Sequence, residues 1–152
     1  MAAGGTLPES GTVFFSLADR DKMIGVEAAA GFVDLGFTLA ATDGTADAFE
    51  AAGLPVGERV GKLSGPEAVQ PGERVTAVDL INDGKIALVV NSPKGRAPRS
   101  DGADIRAAAS AMRIPLLTTG SAALASSKGL AEWMESPLTV KSLQEYHGTA
   151  TR

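Results

Sequence analysis

The stretch Thr38–Gly53, "TLAATDGTADAFEAAG", reads as a strand, a tight turn and a helix. Thr38–Thr42 is a short apolar run between threonines. Gly44–Ala52 follows with helical spacing, and Gly53 stops it. The turn Thr42-Asp43-Gly44-Thr45 between them has two readings. Thr, Asp and Gly are ordinary turn formers and helix caps. The same residues ahead of a helix also make an anion cradle, because the first N–H groups are unpaired and the dipole is positive there. Asp43 opposes the second reading, since its charge repels phosphate at close range. It fits a cradle only as a helix cap that points away from the ligand.

The alternation continues on both sides. Thr12–Leu17, "TVFFSL", is a buried-strand pattern, and Lys22–Leu35 is a helix with Ile24, Ala28, Phe32 and Leu35 on one face and Gly36 as its stop. Val56–Val60 is a weak strand. Glu73–Asn82 is a helix with Val75, Val78 and Ile81 inward, closed by Asp83-Gly84. Ile86–Asn91, "IALVVN", is apolar throughout, as expected of a strand covered on both faces. Ser100 or Asp101 caps a helix through Ile105, Ala108, Ala109 and Met112. Leu116–Thr119 is a strand, and Ser121 begins a helix to Met134. The tail Leu138–His147 adds a short strand and a helical turn. These alternations predict an α/β fold: a parallel sheet with helices on both faces, a three-layer Rossmann-like sandwich. Antiparallel meanders would have shorter spacings.

The 152 residues suffice for one domain with a real core. Met1–Ser10, rich in Gly, Pro and Ser, reads as a linker or an appended end. Gly11–Gly148 is the domain, and Thr149–Arg152 a tail. The net charge of −4 argues against a nucleic-acid binder, which would carry basic patches. The absence of cysteine excludes disulfides and thiol chemistry. Met1–Gly11 lacks the charged and apolar regions of a signal peptide, and no run is long enough to span a membrane. The expectation is a cytoplasmic protein without membrane or nucleic-acid partners. The single histidine, His147, leaves little basis for a His-dependent triad or a metal site, and it reads as a surface residue.

Ligands of open α/β sheets bind beyond the C-terminal ends of the strands. The segments there are Ser16, Asp19 and Lys22; then "TDGT"; then Lys62, Ser64 and Gly65; then Asn91, Ser92, Lys94 and Arg96; then Thr118, Thr119 and Gly120. Hydroxyls recur beside glycines, and Lys22 and Lys62 fall on the same edge. Glycine allows close approach of the backbone, hydroxyls donate hydrogen bonds, and lysine adds a point charge. Any one turn is explained by capping alone. Converging turns with two lysines favour a phosphate or another small anion. Lys94 and Arg96 fit a solvated loop better than ligands, and Trp133 is a partly buried anchor of the last helix.

The segments "GTVFFSLADRDK", "GFTLAATDGTADAFEAAGLPV", "VGKLSG", "DGKIALVVNSPKGR", "IRAAASAMRIPLLTTGSA" and "VKSLQEYHG" together resemble the methylglyoxal-synthase-like domain. Within that superfamily the chain resembles most the C-terminal regulatory domain of the carbamoyl-phosphate synthase large subunit, from about Gly11 to Gly148. The "AT-x-GTA" turn is shared by all branches, whereas "SLQEYH" and "IR-x-AA" point to the synthase branch. The resemblance implies sheet order 3-2-1-4-5 and a site for nucleotide effectors such as UMP or IMP. It implies effector phosphate binding by Lys22, Thr42, Gly44, Thr45, Lys62, Ser64 and Gly65. Asp43, Asn91, Ser92 and Pro93 would face the base or ribose, and Thr118 and Thr119 an ornithine side. Asp43 stands where several synthases have histidine, and Pro93 where they have a hydroxyl, so a phosphate-bearing effector is better supported than any one base. The chain itself would need no cofactor and do no chemistry. The parent would be an ATP-dependent ligase using ATP, magnesium and potassium. It would make carbamoyl phosphate for pyrimidine and arginine biosynthesis, with a synthetase body and a glutaminase small subunit as partners.

The alternative is a stand-alone methylglyoxal synthase acting on dihydroxyacetone phosphate. That chemistry needs a carboxylate to take a proton beside a carbonyl. In that branch an aspartate follows the "SGP" turn. Here Ser64-Gly65-Pro66 is followed by Glu67-Ala68-Val69-Gln70, and Gln70, an amide, falls where the base should be. Arg99 stands near the place of that branch's histidine. The purine-pathway cyclohydrolase branch shares the first turns but lacks the "SLQEYH" ending.

Overall fold

A computed structural model describes residues 10–61, 75–92 and 101–135. The chain alternates β1 (Thr12–Ser16), α1 (Lys22–Asp34), β2 (Thr38–Thr42), α2 (Asp43–Ala51), β3 (Glu58–Val60), α3 (Ala77–Asn82), β4 (Leu88–Asn91), α4 (Asp101–Ala111), β5 (Leu116–Leu117) and α5 (Gly120–Glu135). A single 3-10 turn, Asp19–Asp21, leads into α1. The sheet has five parallel strands in the order β3-β2-β1-β4-β5, as the resemblance implied.

Alternate residues along each strand feed opposite faces. Val13, Phe15 and Leu17 of the β1 region join Leu39, Ala41, Leu88 and Val90 in one core with Ala28, Phe32, Ala46, Phe49, Ala123 and Leu130. Helices α1, α2 and α5 therefore cover that face. Phe14, Ala40 and Val89 point the other way, into a second core with Leu80, Ile81, Ile105 and Ala109 of α3 and α4. The central strands are apolar throughout because neither face meets water. Burying each large side chain contributes about 1.5–3 kcal/mol.

Several element ends differ from those the sequence predicts. The helix expected from Glu73, with Val75 inward, begins at Ala77 within the described residues. Thr76 and Asp79 form a reciprocal capping box: Asp79 N–H donates to Thr76 Oγ1 at 3.2 Å, and Thr76 N–H to Asp79 Oδ2 at 3.0 Å. Val75 lies ahead of that cap and is exposed, and Ala77, Leu80 and Ile81 are buried instead. Met112 is likewise exposed, because α4 ends at Ala111 and Arg113 turns the chain with φ 56°. Strand β4 starts at Leu88 rather than Ile86, although Ile86 is still buried. Strand β5 stops at Leu117; Thr119 instead accepts from Ala122 N–H at 2.9 Å, the bond expected of a cap at the start of α5. Trp133 is 45% exposed. The expected tail elements over Leu138–His147 lie outside the described residues.

Candidate anion site at the strand ends

The C-terminal ends of β1, β2 and β4 meet at one edge of the sheet, where α1 and α2 begin. Parallel register sets Ser16 beside Asn91. The chain leaving β1 is held by hydroxyls from its neighbours. Leu17 N–H donates to Thr45 Oγ1 at 3.0 Å, and Ala18 N–H to Ser92 Oγ at 2.8 Å. Ser92 N–H returns a bond to the Ser16 carbonyl at 3.0 Å. Thr42 Oγ1 donates to Thr45 Oγ1 at 3.3 Å. Ser16, Thr42, Thr45, Asn91 and Ser92 are all buried. Buried polar groups are normally paired. Among the described residues one side-chain atom departs from this: Asn91 Nδ2, buried with no hydrogen-bond partner.

Helix α2 opens directly from β2. Thr42 occupies its N-cap position with extended backbone (φ −66°, ψ 158°), and its side chain makes no capping bond. Asp43 is therefore the first helical residue and not the cap that the sequence suggested. Gly44 follows, exposed and without a side chain over the helix end. Lys22, the first residue of α1, reaches this point. A Cβ placed on Gly44 would lie 3.3 Å from Lys22 Nζ. An ammonium thus stands at the N-terminal turn of a nine-residue helix, whose free N–H groups already favour an anion. Lys22 also donates to Asp19 Oδ1 at 2.7 Å, and that carboxylate is 95% exposed.

Asp43 is held from the side. Arg59 of β3 donates to Asp43, Asp47 and Glu50, the acidic stripe of α2. The Asp47 hydrogen bond does most to push the Arg59 guanidinium above its ordinary pKa, with Asp43 adding to it against partial desolvation. Arg59 is not among the site residues that the sequence points to. Acidic residues at positions 43, 47 and 50 share one helical face, which was the available signal.

Of the residues expected at the site, the structure brings Lys22, Thr42, Gly44, Thr45, Asn91 and Ser92 to this edge. Thr45 and Ser92 spend hydroxyl capacity as braces for the chain leaving β1. Thr118 and Thr119, exposed, lie at the end of the edge strand β5. Lys62, Ser64, Gly65, Pro93, Lys94, Arg96 and His147 lie outside the described residues, as do Glu67, Gln70 and Arg99. A cavity of about 510 Å³ lies at the opposite end of the strands, lined by Thr12, Thr38, Glu58, Asp79 and Asp83 among others. Its carboxylates make it a poor home for an anion. Among the described residues there is no cluster of His, Asp or Glu able to hold a metal, and no helix long and apolar enough to cross a membrane.

The family model of the MGS-like domain matches residues 25–118. The chain belongs to the MGS-like domain family. The domain is 42% identical over 147 residues to the carbamoyl phosphate synthase large chain of Mycobacterium sp. (strain JLS). It is 43% identical over 148 residues to that of Mycobacterium tuberculosis (strain ATCC 25618 / H37Rv), and 43% identical over 145 residues to that of Beutenbergia cavernae. These alignments cover 95–96% of the chain and 13% of each relative. The MGS-like domain thus spans about an eighth of the length of the curated relatives it matches.

Proposed function

We propose that this domain binds the phosphate of a nucleoside monophosphate of the UMP or IMP type at the start of α2. We propose further that it serves as the regulatory domain of a carbamoyl phosphate synthase large chain. The observation that carries the reading is Lys22 Nζ beside Gly44 at the helix N-terminus. Asn91 supports it, as an amide at this strand edge whose buried Nδ2 has no partner within the protein, a donor left over for a ligand. The relatives, all large chains of that synthase, support the regulatory role. In this reading ATP, magnesium and potassium belong to the parent ligase, as do the synthetase body and the glutaminase subunit. The effector acts through differential affinity for two states of the whole enzyme.

Calorimetric titration with UMP, IMP and ornithine tests the reading, alongside amide shifts at Gly44. UMP or IMP is expected to release heat and move the Gly44 resonance. Lys22→Gln is expected to weaken binding about tenfold or more while the fold is kept, since it removes a charge-assisted contact. Silence at millimolar nucleotide would sink the proposal. So would methylglyoxal released from dihydroxyacetone phosphate and lost on Glu67→Gln, since Glu67 is the carboxylate that follows the Ser64-Gly65-Pro66 turn and could stand in for the missing base.

A further inference from the structure

Asp43 sits in the first turn of α2 with a charge of the wrong sign for a phosphate neighbour. The structure supplies its counterweight from another element. Strand β3 runs parallel to β2 with Ala41 opposite Arg59 and Thr42 opposite Val60, which brings Arg59 against the flank of α2. Its Nε donates to Asp43 Oδ1 at 3.2 Å and its Nη2 to the Asp43 carbonyl at 3.3 Å. Nη2 also reaches Asp47 Oδ1 at 2.6 Å, and Nη1 reaches Glu50 Oε1 at 2.8 Å. One planar fork thereby grips the start, middle and end of the helix, which a lysine's single ammonium would not do.

We infer that Arg59 is a positioning residue for the anion site: it ties the Asp43 carboxylate to the β3 side of α2 and balances its charge. Lys22 and the helix N-terminus then set the sign of the field at Gly44. The inference rests on the phosphate-binding reading above. It also explains how an aspartate is tolerated inside the "TDGT" turn. The Arg59 and Asp43 side chains are 33% and 41% exposed, so these bonds contribute little to global stability. Their effect is expected in binding.

The experiment is a titration of the full chain with UMP at low and high salt, with thermal unfolding measured in parallel. Arg59→Gln is expected to weaken UMP binding about tenfold at low salt, the order expected for the loss of one balancing charge near a phosphate dianion. The deficit should shrink at high salt as that charge is screened. Adding Asp43→Asn to Arg59→Gln should restore affinity to within about twofold, because the charge that needed balancing is gone. A double variant as weak as Arg59→Gln alone overturns the inference, since Arg59 would then act through the fold. Unchanged binding by Arg59→Gln also overturns it and leaves the phosphate reading standing. Absence of UMP, IMP and inorganic phosphate binding by the unaltered chain overturns the phosphate reading itself. If Arg59→Gln fails to fold, Asp43→Asn alone decides: a change under about twofold supports a balanced carboxylate, and tenfold tighter binding refutes it.

Discussion

Phe14 and Phe15 are neighbours on β1, yet they enter two cores built by different means. Phe15 meets Phe49 of α2 edge-on, with ring centroids 5.0 Å apart, and Phe32 of α1 at 6.3 Å. Phe32 in turn meets Phe37 at 5.3 Å. On that face α1 and α5 also approach closely at glycines. A Cβ on Gly31 would lie 2.8 Å from Ser127 Oγ, and one on Gly120 would overlap Ile24 Cγ2. On the other face Phe14 packs among aliphatic and alanine side chains of α3 and α4 and, among the described residues, makes no ring contact. Both halves of the candidate site stand on the aromatic face: Lys22 begins α1, and Gly44 lies in the first turn of α2. Phe15, between Phe32 and Phe49, fixes one helix against the other. The tighter face is the one that has to hold an ammonium at a set distance from a helix end.

That difference can be broken most strongly at Phe49. Phe49→Ala removes the anchor of α2 and is expected to cost about 3–5 kcal/mol, read from urea unfolding. Ile105→Ala on the opposite face is expected to cost about 2–5 kcal/mol. The two should separate in UMP binding, measured where both variants are folded. Phe49→Ala should weaken it and Ile105→Ala should leave it unchanged. Equal losses of affinity would show that the aromatic face has no special hold on the site.

A smaller effect separates two glycines of α5. At Gly120 a new methyl meets Ile24 and the Asp21 carbonyl, the latter 3.3 Å away. Gly120→Ala is therefore expected to destabilise by about 1–3 kcal/mol through overpacking against α1. At Gly129 a Cβ meets nothing within 4 Å. Gly129→Ala is expected to stabilise by about 0.5–1 kcal/mol through helix propensity. Thermal midpoints that move the same way for both would contradict close packing at the start of α5.

The contrast between faces was only partly legible in the sequence. The central strands were, because "VFF" and "ALVV" are apolar without interruption and a doubly covered strand demands that. The edge of the sheet where Lys22, Gly44 and Asn91 gather also followed, since the βαβ alternation fixes which strand ends meet. Helix starts were less legible. Val75 fits the helical period of α3, but the capping box of Thr76 and Asp79 sets the boundary after it. Arg59 was legible only in part: the acidic face of α2 at positions 43, 47 and 50 calls for a cation, but only the β2–β3 register shows that Arg59, 16 residues from Asp43, supplies it. For Thr45 the resemblance implies only a phosphate contact. Its brace to Leu17 N–H spans 28 residues and depends on how α2 sits over β1. Local spacing reports local structure well, and these long-range bonds leave no periodic trace.

The smallest and sharpest comparison uses one substitution at adjacent positions. Phe14→Leu and Phe15→Leu remove the same atoms from sites that are both fully buried, so the transfer and cavity contributions are similar. They differ in what the ring touches. Phe15 loses two edge-on aromatic contacts, each worth about 0.5–1.5 kcal/mol beyond burial, whereas Phe14 loses aliphatic packing that leucine can largely replace. Phe15→Leu is therefore expected to be the more destabilising by about 1 kcal/mol in matched denaturant titrations. If the two variants unfold at the same midpoint, ring geometry adds nothing to burial here. The placement of Lys22 over α2 would then owe its rigidity to the glycine contacts of α1 and α5 alone.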